Sequence, residues 1–329
     1  MAARGRRREP SPTSRGGIAR LLAGLRAIDA KERAAAVRAL ADFVAMDASE
    51  MAVDEAQAFL AELYRAIDDL VRSSVSHERA GGVDAIDSLL EVDFEEAEEA
   101  GAKLARYAAY LRTALEHPAN DDGDVRAAAS VLGHLARVGG ELATEAIDAE
   151  IRRALELLNA DGGSARERRP PPRAREGTEM GAERRLLVAS CVLAELATDA
   201  PALMYAHLPA LFERIWTPLT DYALNTREAA AATLRASLRL VAARPTHFSR
   251  DTYVELLKRA NAALGGASEP AWVQHGAMLA LLACARTRPP LFPHAHPPPR
   301  LTAARACAGS SPRRAPARAT PSSRWPRHS

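Results

Sequence analysis

An adjacent histidine and glutamate, His77 and Glu78, are the residues of this sequence best suited to metal chemistry. Pairs of this kind, repeated on several helices, can supply the imidazole and carboxylate ligands of a di-iron hydroxylase centre. The equivalent positions elsewhere in the chain are Lys31–Glu32, Gly123–Asp124 and Ala182–Glu183, none of which contains a histidine. Because one pair does not complete a metal site, the sequence predicts a helix start here and no bound metal.

The acidic run EVDFEEAEEAGAK, residues 91–103, is a second candidate for cation binding. A calcium loop needs alternating carboxylates around a turn glycine, and this run lacks that spacing. It is therefore predicted to be a solvated helix face. His294 and His296, in the motif HAH among prolines, are attributed to the composition of the tail.

Nucleotide chemistry has no visible machinery in this sequence. The glycine-rich loops GxGxxG and GxxxxGK[ST] and the HRD and DFG motifs, which position ATP and magnesium, do not occur. No catalytic, cofactor-binding or metal-binding residue is therefore predicted in this chain. Ser11, in RREPSP, has the sequence context of a kinase substrate, which is a short and common pattern.

Composition favours helices and excludes some partners. Of the 329 residues, 47% are hydrophobic but only 5% aromatic, which predicts an all-α protein. The net charge of +2 hides a partition, because residues 1–20 carry six Arg against one Glu and residues 287–329 carry eight Arg and no acid. Removing both segments from the totals of 44 and 42 leaves 30 basic and 41 acidic residues, which argues against direct nucleic-acid binding.

Cysteine usage indicates a reducing compartment, and hydropathy predicts no transmembrane segment. Cys191, Cys284 and Cys307 are far apart and form no disulfide framework. No apolar run approaches the roughly 18 residues that span a bilayer, and the N-terminus lacks the apolar region of a secretory signal. We expect a cytoplasmic protein without a transmembrane segment, associating with endomembranes or the nucleus only through partners.

Similar amphipathic segments recur along the chain, and each begins with a charged or polar pair. The arginines that mark them are Arg33, Arg79, Arg126, Arg185 and Arg227. Their steps are 46, 47, 59 and 42 residues, and His275 follows 48 residues later. A period of about 40 to 47 residues with two helices per unit is typical of HEAT or armadillo repeats. The sequence therefore predicts an α-solenoid of about six helical hairpin repeats.

Three segments fall outside this periodicity. The predicted solenoid covers 18–286. Before it, a disordered basic tail is predicted at 1–17. After it, a disordered tail rich in Pro, Ala and Arg is predicted at 287–329, where ten of the 21 prolines lie. The long step of 59 residues contains a disordered insertion at 162–182 with a PPP run. The insertion is either regulatory or a retained intron, and the C-terminal tail raises the same suspicion of a gene-model artefact.

The repeat positions have a structural interpretation. Each marker arginine can donate to carboxylates or carbonyls of a neighbouring unit, and phosphate binding is the functional alternative. Two and three residues after Arg33, Arg79, Arg126 and Arg227 lie small side chains, of which Gly81 and Gly82 are the extreme case. In the fourth unit the register is open, and the pair is either Leu187 and Val188 or Val188 and Ala189. A helical glycine costs about 1 kcal/mol relative to alanine, a cost that closer helix packing offsets.

Several blocks in this order resemble a known family. They are RAAAVRALADFVAMDASEM, ERAGGVDAIDSLLEV, RYAAYLRTALEHP, EIRRALELLNAD and TREAAAATLRASLRL. The chain from Ile18 to Arg286 is similar to the N-terminal HEAT repeats of the target of rapamycin (TOR) serine/threonine kinases, members of the phosphatidylinositol 3-kinase-related group.

This resemblance implies a scaffold segment of a nutrient-responsive growth kinase that contacts partner subunits, notably Raptor. Catalysis, with its ATP and magnesium, is then expected in a C-terminal kinase domain that has no counterpart here, and the chain is expected to be inactive alone. The alternative is a stand-alone HEAT-repeat adaptor for transport or complex assembly.

Overall fold

The structure is a computed structural model that describes residues 19–47, 51, 53–92, 97–159, 181–244, 246–266 and 269–287. The predicted tail at 1–17 lies outside these residues. The predicted insertion at 162–182 lies outside them up to residue 180, and the C-terminal tail does so from residue 288. The predictions of disorder therefore stay predictions.

Twelve α-helices and one 3₁₀ turn form the secondary structure of the described residues, together with a helical stretch at 19–24; these residues contain no strand. The helices are α1 (Ala30–Asp47), α2 (Val53–Val71), α3 (Ser76–Leu89), α4 (Ala97–Glu116), α5 (Asp122–Gly139), α6 (Thr144–Leu157), α7 (Ala182–Asp199), α8 (Pro201–Arg214), α9 (Trp216–Leu219), α10 (Leu224–Ala243), α11 (His247–Gly265) and α12 (Ala271–Thr287). The 3₁₀ turn, Gly140–Ala143, joins α5 to α6. The all-α prediction is confirmed.

Short polar side chains cap the first turns of two helices, and a proline begins a third. Asp121 caps α5 in a capping box, because its Oδ1 accepts from the amide of Asp124 at 2.8 Å and the Asp124 carboxylate accepts from the amide of Asp121 at 3.3 Å. Thr246 and Ser249 form the same arrangement at α11. At α8, Pro201 is the first helical residue, where its missing N–H costs no hydrogen bond.

The helices pack in two layers. We call α1, α3, α5, α7, α10 and α12 the first layer, in which each helix contacts the next. The helices α2, α4, α6 and α8 contact one another in the same way and form the second layer. Each of α3, α5 and α7 also packs closely on the second-layer helix that precedes it in sequence. Repeated helix pairs stacked in this manner form an α-solenoid, as predicted.

One hydrophobic core continues between the layers from Leu25 to Cys284. Fully buried aliphatic side chains from successive helices include Leu40, Ile67, Ile86, Leu111, Leu132, Leu193, Leu208 and Leu234. Because no unit closes its own core, each helix pair depends on its neighbours, and stability is distributed along the stack.

Candidate functional site

The marker arginines occupy the starts of the first-layer helices. Arg33, Arg79, Arg185 and Arg227 are each the fourth residue of their helix, a position we call the arginine slot. In α5 the fourth residue is Val125, which is fully buried, and Arg126 beside it is exposed. In α12 the fourth residue is Gln274, immediately before His275.

Arg79 is the most completely enclosed of these arginines, with 2% of its surface exposed. Its Nε donates to Oδ1 of Asn120 at 2.9 Å, and its Nη1 donates to the carbonyl of Ser73 at 3.0 Å. Its Nη2 donates to the carbonyl of Ala119 at 3.1 Å and to Oδ2 of Asp124 at 2.8 Å. The guanidinium therefore joins the turn before α3 to the start of α5. Because it is buried, it is not accessible to a phosphate group in solution.

Asn120 completes this junction and was not found by sequence reasoning. It is buried, and its Nδ2 donates to the carbonyls of Ala114 at 2.6 Å and Leu115 at 3.3 Å. These carbonyls belong to the last turn of α4, where helical partners run out. The available signal was an asparagine in the short turn directly before the capping Asp121.

Arg227 repeats the pattern of Arg79 near the other end of the stack. Its Nη1 donates to the carbonyls of Asp221 and Tyr222, both at 2.7 Å, and its Nε donates to Nδ1 of His275 at 3.0 Å. Burial lowers the pKa of Arg227, an effect that Asp221 and then Glu228 oppose. The bond to His275 connects α10 to α12, the next helix of the first layer.

Arg33 makes the first half of this pattern. Its Nη1 donates to the carbonyls of Ala27 at 3.0 Å and Ile28 at 2.9 Å, in the turn before α1. Arg33, Arg79 and Arg227 thus all bind carbonyls five or six residues earlier, and Arg79 and Arg227 also reach the following unit. Arg185 lies half-buried at the same position of α7.

The two adjacent glycines lie where helices approach each other closely. A Cβ atom built on Gly81 would stand 2.0 Å from the carbonyl oxygen of Leu25. One built on Gly82 would stand 2.9 Å from Cβ of Leu70 and 2.9 Å from Cγ1 of Val71. Only glycine fits the first contact without movement of the backbone.

Gly276 makes the same kind of contact in α12, and sequence reasoning missed it. A Cβ there would stand 1.8 Å from the carbonyl oxygen of Leu219. The signal was its place directly after His275, the last marker of the series. Most of the predicted small residues at equivalent positions are also buried: Ala36, Ala128, Ala129, Ala189, Ala229 and Ala230, with Ala35 exposed.

Glu78 of the adjacent His–Glu pair takes part in local contacts. Its Oε2 accepts from Oγ of Ser73 at 2.5 Å, and its Oε1 lies 3.5 Å from Nη1 of Arg26. His77 is half-buried beside it. Within the part of the chain that the structure describes, no group of three or more His, Cys, Asp or Glu side chains could hold a metal ion. His294 and His296 lie outside that part.

The two described cysteines are buried thiols. Burial raises the pKa of Cys191 and of Cys284 to about 11 each, so neither is a reactive thiolate near neutral pH. No described helix combines the length and apolar character that crossing a membrane requires.

An open cleft of about 490 Å³ lies where α5, α7 and α10 begin. Its lining includes Leu187, Leu224 and Arg184, whose Nη1 donates to the carbonyl of Asp121 at 3.3 Å. Asn225 donates a hydrogen bond to Asp122 and so links α10 to α5 across the start of α7. With Leu224 49% exposed, the cleft suits contact with a protein surface better than enclosure of a small substrate.

No protein-family model matches the chain. Over 246 aligned residues it is 33% identical to the serine/threonine-protein kinase tor1 of Schizosaccharomyces pombe, an alignment that covers 75% of this chain and 9% of that protein. The chain is homologous to a segment of the TOR kinases. It is also 31% identical over 224 residues to the TOR kinase of Arabidopsis thaliana, covering 68% of this chain and 8% of the relative. TOR2 of Saccharomyces cerevisiae is 27% identical over 230 residues, which are 69% of this chain and 9% of TOR2.

The TOR homology confirms the resemblance found in the sequence blocks. The chain spans less than a tenth of the length of the curated TOR kinases that it matches. The homology therefore concerns one segment of those proteins.

Proposed function

We propose that this chain is a scaffold segment of a TOR-type serine/threonine kinase in nutrient-responsive growth signalling, and that it acts by binding partner subunits such as Raptor. The observation that carries the proposal is the similarity to the TOR kinase tor1. The two sequences are 33% identical over three quarters of this chain, and the aligned part is only 9% of tor1. Catalysis, with its need for ATP and magnesium, then lies in another part of a full-length kinase, and the chain alone is inactive. The cytoplasm is the proposed location.

The fold supports a binding role. Two layers of stacked helices expose a long row of helix surfaces, and contact surfaces of this kind are what solenoid proteins use for recognition. The marker arginines Arg79 and Arg227 serve the stack itself, since their donors are engaged with neighbouring helices and turns. The open cleft at the starts of α5, α7 and α10 is one candidate contact surface for a partner.

The size of the native protein tests the proposal against a stand-alone adaptor. An antibody raised against the described region, applied to a lysate of the source cells, is expected to detect a protein about eight times the length of this chain, because 246 aligned residues make up only 9% of tor1. Transcript sequencing across codons 160 to 330 should show a reading frame that continues into further helical repeats and a kinase domain. A native protein of 329 residues with a confirmed stop codon after Ser329 would instead support the adaptor.

A further inference from the structure

The start of α10, which opens into the cleft at the starts of α5, α7 and α10, lacks a feature of earlier first-layer helices. The third residue of those helices is acidic: Glu32 in α1, Glu78 in α3 and Asp124 in α5. In α10 the third residue is Thr226, the first turn has no acidic residue, and Ala223 before it provides no side-chain cap. The first amides of a helix have no partner within it and carry partial positive charge. The start of α10 therefore favours an anion from elsewhere.

Thr226 presents an unpaired hydroxyl to the same cleft. It lines the cleft, only 1% of its surface is exposed, and no hydrogen bond joins its hydroxyl to another described residue. Thr233, about two helical turns later, donates to the carbonyl of Ser190 on α7 at 2.6 Å. Thr226 thus lies on the face of α10 that is turned toward α7. A buried hydroxyl without a partner, at the wall of an open cleft, points to a ligand that supplies one.

Arg184 supplies a positive charge on the opposite wall. It is the third residue of α7 and is half-buried. Its Nη1 donates to the carbonyl of Asp121 at 3.3 Å, and its other N–H groups have no partner among the described residues. A guanidinium with free N–H groups can bind both oxygens of a carboxylate.

The carboxylates around the cleft are already bonded. Asp121 and Asp124 form the capping box of α5, and Asp124 also pairs with Arg79. Asp122, which lines the cleft, accepts from the amide group of Asn225.

The turn before α10 adds one more bonded carboxylate. Oδ1 of Asp221 accepts from the amide of Ala223 at 2.9 Å. The remaining charges at these helix starts are the cations Arg126, Arg185 and Arg227 and the exposed acid Glu228. The free polar groups that line the cleft are therefore mostly hydrogen-bond donors.

We propose that the cleft binds an aspartate or glutamate side chain from an acidic segment of a partner protein. The carboxylate accepts from Arg184, from the hydroxyl of Thr226 and from the first amides of α10, and so takes the place of the missing helix-start acid. Leu224, 49% exposed beside these groups, provides contact for an apolar neighbour of the acid, which favours a protein segment over a free inorganic anion. This inference rests on the proposed partner-binding function and adds the chemistry of the segment that is bound.

Selection from a library of random dodecapeptides displayed on phage, with the full chain as bait, tests the proposal. The selected peptides are expected to carry Asp or Glu next to an apolar residue. The strongest is then synthesised with that acid and, separately, with the corresponding amide. Fluorescence anisotropy should show that the amide peptide binds about tenfold more weakly or worse, because a charge-assisted contact is lost.

The variant Arg184→Gln identifies the site of binding. It should weaken the acid peptide by a similar factor and leave the amide peptide nearly unchanged, since both changes remove one contact. Arg239→Gln changes an exposed arginine near the other end of α10 and is the matched control, which should bind the acid peptide like the unmodified chain. Leu224→Glu guards against a failure of Arg184→Gln to fold. It puts a carboxylate in the first turn of α10 and should weaken the acid peptide about tenfold or more.

The proposal is overturned if no peptide is selected, or if the selected peptides are basic or wholly apolar. It is also overturned if Leu224→Glu or a folded Arg184→Gln variant binds the acid peptide as tightly as the unmodified chain does. The selection does not use Raptor, so a failure of the acid-binding cleft and a failure of Raptor binding are separate results.

Discussion

Arg79 and Asp124, 45 residues apart in the sequence, form an ion pair in which Nη2 lies 2.8 Å from Oδ2. The same carboxylate accepts from Oγ of Ser76 and from the backbone amide of Asp121. Asp124 therefore completes the capping box of its own helix and also binds the arginine of the preceding first-layer helix. At this junction the polar contacts between α3 and α5 lie at the starts of the two helices, and they add to the apolar contacts of the core.

Replacing Arg79 by methionine is expected to destabilise the fold strongly. The change leaves Asn120 and Asp124 without their buried partner, and breaking a buried ion pair from one side costs about 3 kcal/mol or more. Urea unfolding followed by circular dichroism measures the loss. Arg126→Met, at an exposed position, is the control and should change stability by less than about 0.5 kcal/mol. Equal effects of the two variants would contradict the structural role of the slot.

Gly81→Ala should destabilise although alanine is the better helix former. The added methyl group meets the carbonyl of Leu25, and overpacking of this kind costs about 1 to 3 kcal/mol net. Gly101→Ala, inside α4, meets nothing nearer than 4.0 Å and should stabilise by up to about 1 kcal/mol. Thermal melts of both variants decide the matter, since a gain in both would mean that α3 is not held against Leu25.

Ser237→Ala is expected to be neutral or stabilising. Its hydroxyl is fully buried in α10 and has no hydrogen-bond partner among the described residues, so its removal relieves a desolvation cost of about 1 kcal/mol. Thr233→Val is the contrasting variant, because Oγ1 of Thr233 donates to the carbonyl of Ser190 at 2.6 Å. Loss of that bond should cost about 1 kcal/mol in the same denaturant assay. The reverse order of stabilities would mean that Ser237 has a partner in solution.

The buried cysteines should report unfolding. With the pKa of each thiol near 11, only about one thiol in a thousand is ionised at pH 8. In a Cys307→Ser background, iodoacetamide should modify Cys191 and Cys284 at pH 8 only as fast as the stack opens, and rapidly in urea. Mass spectrometry follows the reaction. Prompt stoichiometric labelling without urea would show that α7 and α12 are not packed as described.

The helices could be predicted from the sequence because hydrophobic periodicity is local, and the two-layer stack followed from their recurrence. The recurring arginines were proposed at helix starts, and four of the five lie at the fourth residue of a helix. In α5 the recurring arginine, Arg126, is the fifth residue of the helix and is exposed. The buried fourth position is occupied by Val125, so the helix packs with the valine, and not the arginine, facing the core.

Other parts of the site could not be predicted, because their partners are distant or carry no side-chain identity. Asn120 binds Arg79 across 41 residues. Gly276 is required by the close approach of the backbone carbonyl oxygen of Leu219, an atom that every residue has, so the sequence gives no sign of this contact. The bond from His134 to Asp87 spans 47 residues and depends on the rotation of two helices about their axes.

Binding to the Raptor subunit of the same organism tests the central proposal most directly. The measurement is equilibrium binding of the purified 329-residue chain to purified Raptor, with an unrelated α-solenoid of similar size and charge as the reference. The account predicts saturable binding by this chain and only background binding by the reference. Equal background binding by both would contradict a role as a partner-binding scaffold segment of a TOR kinase.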